Sequence, residues 1–282
     1  MNSTPEATSQ VKNQPNSQVA IVTGSASGIG RATALELATR GFDLVLHTRS
    51  NLRGLQSLAD SIGNLGRETL AVTGDIRFRR TCHSIVDTAF AWKGSHVQVL
   101  VNNAGADVLT DGGAKLSFSE KLYLLMDVDV AGTIHMSRRF VDCIAHESNS
   151  PAISHAASPK TGLPGIVNIG WDQSQTGMEG TPGQLFCTTK AAVEAFSHSL
   201  ALTTRGEVKV NVVAPGWIRT KWSGEASEYW DARARSESLM DRWGTPEDVA
   251  KTIGWLCSPQ AEFVNDQVIA INGGLTTKSS ST

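Results

Sequence analysis

Residues 19–30, with the sequence VAIVTGSASGIG, join a short β-branched run to a glycine-rich turn. The run at 19–23 is typical of a buried strand, and an amphipathic helix is predicted to start at the turn. Glycines at such a junction let the backbone approach a pyrophosphate, whose charge is met by free N–H groups at the helix N-terminus. The stretch therefore predicts a dinucleotide-binding turn at the start of an α/β fold.

Beyond this turn, short β-branched runs alternate with longer amphipathic segments. This alternation is typical of a parallel sheet with crossover helices. We therefore expect one doubly wound α/β domain over residues 19–275, with a tail at 1–18 and another at 276–282. The seven predicted strands are residues 19–23, 43–47, 69–73, 97–101, 165–169, 208–213 and 267–271.

Composition narrows the class of protein. The 282 residues are 40% hydrophobic and 18% charged, with a formal net charge of -2, which is typical of a globular chain. This charge gives no long-range attraction to nucleic acid or to a membrane surface. We expect the partners to be small molecules or copies of the chain itself.

The cysteines and the N-terminal segment bear on the compartment. Cys82, Cys143, Cys187 and Cys257 stand far apart with no Cys-x-x-Cys pair, which argues against a disulfide framework and a zinc site. Residues 1–18 are polar and lack the apolar core of a secretory signal, and no apolar run reaches the ~20 residues of a membrane span. We expect a cytoplasmic protein.

Three stretches interrupt the alternation. Residues 147–164 are polar and proline-containing, and a surface excursion is expected there. Residues 171–183 form a Gly/Gln/Thr-rich loop where a substrate would lie at the carboxyl edge of the sheet. Residues 217–240 carry Trp217, Trp222, Tyr229 and Trp230 among charges. This last pattern fits either a flap that closes an apolar pocket or a surface helix with a dimer contact.

Five segments, in order, resemble the short-chain dehydrogenase/reductase family, and 3-oxoacyl reductases in particular. The glycine turn has the family's Gly-x-x-x-Gly-x-Gly spacing, and the resemblance extends over residues 19–275. It implies a single Rossmann-type domain and an NAD(P)-dependent oxidoreductase. The other four segments are VNNAG at 101–105, NVVAPG at 211–216 followed by Thr220, RWGTPEDVA at 242–250, and INGG at 271–274.

The resemblance also assigns cofactor-binding positions. At the end of the second strand the family carries an acidic residue for the NAD ribose or a basic residue for the 2′-phosphate of NADP. Here no carboxylate occupies that position and Arg49 follows it, which favours NADP over NAD, unless Arg49 is an ordinary surface residue. Asp75, with Ile76, resembles the pair that meets the adenine, although Asp75 alone can also cap a helix. The remaining positions are Gly24, Ser27, Gly28, Ile29, Gly30, Asn103, Ala104, Gly105, Lys190, Pro215, Gly216, Ile218 and Thr220.

The catalytic set departs from the family pattern of Asn, Ser, Tyr and Lys. Phe186 stands in place of the tyrosine that acts as general acid/base, and Trp171 stands where the family has a serine hydroxyl. Asp129 replaces the asparagine, so that only Lys190 remains, with Asp129 expected to pair with its ammonium group. Cys187, Asp172 and Ser174 are candidate replacement acids or plain structural residues.

Two functions therefore stay open. The first is an NADP(H)-dependent oxidoreductase that acts on a small carbonyl, alcohol or related substrate, with an altered proton donor or a proton from substrate or water. The second is a catalytically silent member with a regulatory or structural role. The tryptophans of 217–240 suggest an apolar or aromatic ligand, and the resemblance implies a homodimer or homotetramer.

Overall fold

The computed structural model of the chain describes residues 17–148, 162–220 and 228–275. Within them, seven parallel strands form one sheet in the order β3-β2-β1-β4-β5-β6-β7. This is the doubly wound Rossmann-type α/β domain predicted from the sequence. The order reverses between β1 and β4, which opens a crevice at the carboxyl ends of these strands.

The strands are β1 (Val19–Val22), β2 (Asp43–Thr48), β3 (Thr69–Thr73), β4 (Val97–Asn102), β5 (Gly165–Ile169), β6 (Lys209–Pro215) and β7 (Val268–Ile271). The helices are α1 (Gly28–Thr39), α2 (Leu52–Gly63), α3 (Arg79–Lys93), α4 (Asp111–Ala114), α5 (Phe118–Leu125), α6 (Thr133–Ser148), α7 (Gly180–Thr204), α8 (Glu228–Glu237) and α9 (Pro246–Leu256). A π-helical segment, Met126–Gly132, joins α5 to α6, and two 3-10 turns cover Gly94–His96 and Pro259–Ala261.

Apolar side chains of the central strands explain the layered core. Every residue of β1 is buried, so neither face of this strand meets water. One face packs under α1, α2 and α9, and the other packs under α3, α6 and part of α7. Helix α9 begins with a capping box between Thr245 and Asp248, which satisfies N–H groups of its first turn.

The predicted irregular stretches are placed only in part. The loop expected at 171–183 ends earlier, because α7 begins at Gly180. The stretch 217–240 contains α8, and its residues 221–227, with Trp222, lie outside the described residues. Most of the excursion at 147–164, most of the tail at 1–18 and all of the tail at 276–282 also lie outside them.

Two further observations concern the whole described part of the chain. All four cysteines are free thiols, as their spacing predicts. In the ranges that the structure describes, no helix combines the length and apolar character of a membrane span.

Candidate functional site

The glycine-rich turn after β1 is folded so that only glycine fits at two of its positions. Gly24 has a φ of +64°, and a Cβ there would lie 2.9 Å from the Cα of Ala104. A Cβ on Gly30 would lie 2.4 Å from the carbonyl oxygen of Gly24. The turn and the start of α1 therefore pack as closely as a phosphate-binding backbone requires.

The segment after β4 is hydrogen-bonded directly to this turn. The Thr23 hydroxyl accepts hydrogen bonds from the backbone N–H groups of Asn103 at 2.9 Å and Ala104 at 3.0 Å. The Asn103 side-chain amide donates to the carbonyl oxygens of Thr23 and Gly24. A Cβ on Gly105 would lie 3.1 Å from the Asp129 carboxylate. The segment thus connects the turn to the predicted catalytic set.

The N-terminus of α1 keeps its donors available. Ser27 is the N-cap residue, but its side chain accepts no hydrogen bond from the first helical turn. A Cβ on Gly28 would meet only Thr220, at 3.7 Å. The loop after β6 therefore passes over this helix end, which fits a ligand held between the two.

The end of β2 carries a buried histidine that the motif comparison did not single out. The backbone N–H of Gly24 donates to Nδ1 of His47 at 3.3 Å, and Nε2 lies 3.0 Å from the carbonyl oxygen of Gly74. Burial lowers the pKa of His47, so the neutral ring donates from Nε2 and accepts at Nδ1. His47 thereby ties the glycine turn to the end of β3.

Arg49 and Asp75 lie on the same side of the crevice. The Arg49 side chain is exposed and makes no ion pair with another residue in the described ranges. The Asp75 carboxylate is held by the Arg77 guanidinium at 2.7 Å, and this bond lowers the pKa of Asp75. Asp75 is not a helix cap, since α3 begins after Phe78. Ile76, beside Asp75, is buried.

Lys190 and Asp129 form the ion pair that the sequence predicts. Their Nζ and Oδ2 atoms are 3.0 Å apart, with side-chain exposures of 14% and 3%. Lys190 also donates to the carbonyl oxygen of Ile169 at 3.1 Å, and the other Asp129 oxygen accepts from the N–H of Ala106 at 2.8 Å. The positive charge of Lys190 is therefore balanced inside the protein.

Trp171 and Phe186, the two residues predicted to replace hydroxyl groups, lie in contact with each other. Their ring centroids lie 6.2 Å apart in an edge-to-face arrangement. An aromatic pair of this geometry is favourable in itself, by about 0.5–1.5 kcal/mol beyond the buried area. Neither ring offers a hydroxyl to a substrate oxygen.

These residues border one cavity of about 430 Å³ at the carboxyl edge of β5 and β6. It brings together the predicted positions Ile29, Trp171, Phe186, Lys190 and the loop after β6. The lining residues are Ile29, Leu109, Ile169, Gly170, Trp171, Met178, Pro182, Phe186, Lys190, Pro215, Gly216, Trp217, Ile218 and Trp230. The wall is almost entirely apolar, and α8 contributes Trp230 to it.

None of the three candidate replacement acids belongs to that lining among the described residues. The Ser174 hydroxyl donates to the buried carboxylate of Glu194 at 2.5 Å. The Cys187 thiol donates to the carbonyl oxygen of Gln173 at 3.3 Å. Both groups are therefore engaged by neighbours instead of facing the cavity.

Asp172 lies directly behind the cavity wall. Its Oδ2 accepts from the Asn272 amide at 3.0 Å, whereas its Oδ1 is buried without a hydrogen-bond partner. Burial raises the pKa of Asp172 to about 6, and the nearby Glu237 adds to this effect. A Cβ on Gly216 would lie 2.9 Å from Oδ2, so this carboxyl group abuts the backbone that lines the cavity.

Glu237 is a site residue that the sequence did not reveal. It accepts from the indole Nε1 of Trp217 at 2.8 Å and from Arg233 at 2.7 Å. Arg233 also pairs with Glu179, immediately before α7. Helix α8 is thereby fixed against the cavity. In the sequence, Glu237 is one of many charges on α8, and nothing in its spacing predicts a link to Trp217.

Comparison of the chain with known proteins shows the family to which it belongs. Residues 24–276 match the family model described as enoyl-(acyl carrier protein) reductase. The chain is 30% identical over 261 residues to a 3-oxoacyl-[acyl-carrier-protein] reductase FabG of Haemophilus influenzae, covering 92% of this chain and 98% of that protein. The chain belongs to the short-chain dehydrogenase/reductase family.

Other members of the short-chain dehydrogenase/reductase family are similar along the whole domain. A 3beta-hydroxysteroid dehydrogenase of Eggerthella lenta is 30% identical and covers 91% of this chain and 92% of its own. A Burkholderia cenocepacia short-chain dehydrogenase, solved with NADP, has a TM-score of 0.77 at 25% identity, covering 91% of this chain and 97% of its own. A Brucella melitensis 3-oxoacyl-[acyl-carrier protein] reductase, solved with NAD, has a TM-score of 0.78 at 27% identity, covering 92% and 97%.

Proposed function

We propose that the chain is an NADP(H)-dependent oxidoreductase that works without a proton-donating side chain at position 186. One observation carries the proposal. One cavity is lined by Ile29 and the loop after β6 on the predicted cofactor side and by Lys190, Phe186 and Trp171 on the other, and the resemblance assigns the two aromatic residues to the positions of the two hydroxyl groups. The cofactor side supports cofactor binding, and the aromatic pair argues against ordinary ketone reduction.

The residues of this cofactor side fit a nicotinamide dinucleotide. The uncapped N-terminus of α1 and the close approach of Gly24 to Ala104 suit a pyrophosphate. Lys190, held by Asp129 and Ile169, is placed to bind the nicotinamide ribose. The bound cofactor would supply or accept a hydride, and the protein would supply position and an environment shielded from water.

Arg49 supports NADP(H) over NAD(H). Its guanidinium is exposed at the end of β2 and can pair with a 2′-phosphate. His47, which precedes it by two residues, is a buried histidine with a lowered pKa and a hydrogen bond to the turn. The end of β2 therefore has no carboxylate that could bind a ribose diol. The carboxylate of Asp75 is already engaged by Arg77.

The absence of hydroxyl groups at Phe186 and Trp171 removes two contributions to the reaction rate. General acid/base catalysis contributes about 10²–10⁴ in rate, and one donor to a developing oxyanion about 10²–10³. These effects act together and cannot simply be multiplied. A substrate that needs a proton would therefore receive it from water or from its own acidic group, or would turn over very slowly.

A catalytically silent, cofactor-binding protein is the second candidate. The observation that favours it is the buried pair of Lys190 and Asp129, because Asp129 neutralises the one remaining family charge. The two candidates agree on cofactor binding and differ on turnover. NADPH consumption against a broad panel of carbonyl, enone and imine acceptors separates them.

Cofactor binding is tested by calorimetric titration with NADPH and NADH. Gly24→Ala should weaken NADPH binding at least tenfold, since its Cβ would strike Ala104 and its φ is positive. Gly63→Ala is the matched control, because a Cβ there meets nothing within 4 Å. Circular dichroism verifies that both variants are folded. Absence of NADPH binding by the unmodified protein would refute the proposal.

A further inference from the structure

The side chains of the cavity wall offer few hydrogen bonds to a neutral polar ligand, and no acceptor, among the described residues. Among the lining side chains of the described residues there is no hydroxyl, carboxamide or carboxylate group. The one charged lining group, the Lys190 ammonium, is already bonded to Asp129 and to the Ile169 carbonyl. A carbonyl oxygen buried here would exchange its bonds to water for at most the third N–H of Lys190 and an indole N–H of the wall.

The same wall is rich in aromatic rings. Trp171 and Phe186 form one ring pair, and Trp217 and Trp230 form a second with centroids 5.7 Å apart. The π faces of indole rings attract cations, most strongly where water is excluded. One such contact is already present, because the Arg233 guanidinium stacks over Trp230 at 5.5 Å.

Carboxyl groups lie next to these rings, on the side of the wall that faces away from the cavity. Glu237 accepts the hydrogen bond of the Trp217 indole, which increases the electron density of that ring. Asp172 lies behind Trp171 and Gly216. Among the described residues, Asp129 is paired with Lys190, and Glu179 and Glu237 share the single charge of Arg233. Asp172 makes no ion pair with a described residue. The local charge balance favours a positive ligand.

We propose that this cavity selects a cyclic organic cation, such as a cyclic iminium ion or an N-alkylated ring, over a neutral molecule of the same shape. The inference rests on the proposed function and names its substrate class. When the carbon of a C=N⁺ group accepts a hydride from NADPH, the π electron pair moves to nitrogen and neutralises it. This reduction needs no proton, so the hydroxyl groups absent at Phe186 and Trp171 are not required.

A matched pair of non-reducible ligands tests the selection by binding alone. The cation is dimethyltetrahydroisoquinolinium, and its neutral counterpart is the hydrocarbon with carbon in place of nitrogen. Calorimetry and tryptophan fluorescence report their affinities, with and without saturating NADPH. We expect the cation to bind about tenfold more tightly. Equal or weaker binding of the cation, or no binding of either ligand, would overturn the inference.

Two variants locate the preference in the rings and the charges. Trp171→Leu keeps an apolar wall but removes a π face, and Glu237→Gln keeps an acceptor for Trp217 but removes a charge. Each should reduce cation affinity roughly three- to tenfold and change hydrocarbon affinity less than about twofold. Glu262→Gln is the control, since this exposed carboxylate follows the 3-10 turn that meets Lys209 at the opposite end of β6.

Failure of this inference is distinguishable from failure of the proposed function. NADPH binding without cation preference would leave the oxidoreductase proposal standing and remove only the substrate class. A cation preference in a protein that binds no NADPH would leave the selection of a cation standing and refute the oxidoreductase proposal.

A second experiment measures turnover. NADPH oxidation is followed with N-methyl-dihydroisoquinolinium and with alpha-tetralone, its neutral ketone counterpart. Comparable turnover of both would also overturn the inference.

Discussion

Replacing Asp172 with asparagine should stabilise the protein at neutral pH and leave its stability unchanged in acid. Burial raises the pKa of this carboxyl group from 3.8 to about 6 in the folded state, and Oδ1 has no hydrogen-bond partner. The folded state therefore binds a proton more tightly than the unfolded state. Ionisation of Asp172 destabilises the fold progressively from about pH 4 upwards and fully above pH 6.

The magnitude follows from the difference between the two pKa values. A shift of about 2.2 units at 1.36 kcal/mol per unit gives ~3 kcal/mol above pH 6. Asparagine resembles the protonated carboxyl group in shape and can still accept the hydrogen bond from Asn272. Asp172→Asn should therefore regain most of this energy, which corresponds to a rise in Tm of roughly 6–12 °C for a domain of this size.

Urea unfolding of the unmodified protein and Asp172→Asn at pH 4 and pH 8 measures the effect. Other titrating groups are common to both proteins, so the difference between their free energies of unfolding isolates Asp172. Asp60→Asn, at an exposed carboxylate on α2, is the control and should change stability by less than about 0.5 kcal/mol at either pH. A destabilised Asp172→Asn at pH 8, or an equal gain at both pH values, would refute the reasoning.

Three further predictions concern the cofactor side and the reaction site. Arg49→Ala should remove most of the preference for NADPH over NADH, about 1.5–3 kcal/mol for a hydrogen bond to a charged group, as measured by calorimetry; equal affinities in the unmodified protein would contradict it. Phe186→Tyr alone should gain little reduction of a generic β-keto ester, because Asp129 pairs with Lys190 and because Trp171, assigned by the resemblance to the serine position, lines the cavity without a hydroxyl group. Adding Trp171→Ser and Asp129→Asn should gain more than the sum of the parts, and full activity of the single variant would disprove both roles. Burial lowers the pKa of His47 below its ordinary 6.5, so its stabilising contribution is complete above that pH and is lost as the pH falls; His47→Asn should flatten the fall in urea midpoint between pH 7.5 and 5.5, and an unchanged slope would exclude this role.

The sheet was predictable because buried parallel strands leave a direct signature in the sequence. The runs at 69–73 and 165–169 agree with β3 and β5 at both ends, and the other five differ by at most two residues at either end. The strands β1, β2 and β6 are buried on both faces, and they appear in the sequence as apolar, β-branched runs that end where the buried strands end. The edge strand β3 exposes two of its five residues and was found from its β-branched residues alone. The onset of α7 at Gly180 was missed because Gly and Pro at 180–183 are typical of a loop, although Pro is accepted in the first helical turn.

One contact of the candidate site was predictable because the family pattern assigns both of its residues to the same catalytic set. The pairing of Lys190 with Asp129 followed from their expected places in the family's set. The π-helical winding that holds Asp129 against α7 left no pattern in the sequence, because its residues MDVDVAG read as ordinary helix. It is a local departure from regular winding, of the kind often found at functional sites.

The link between α8 and the cavity could not be read from the chain. Glu237 lies 20 residues from Trp217 and joins it through a single hydrogen bond. The orphaned oxygen of Asp172 likewise depends on the packing of Asn272 and Gly216 from two other strand ends. Contacts of this kind arise from tertiary packing and carry no spacing that a single sequence reveals.

Steady-state turnover of a simple ketone, such as cyclohexanone, by the unmodified protein with saturating NADPH tests whether this reaction site lacks a proton donor. A site that binds the cofactor but lacks both hydroxyl groups, at Phe186 and Trp171, should lose at least the general acid/base contribution. Relative to a median enzyme turnover of about 10 s⁻¹, we predict at most about 0.1 s⁻¹. A turnover near 10 s⁻¹ would contradict the claim that this reaction site works without a proton-donating side chain.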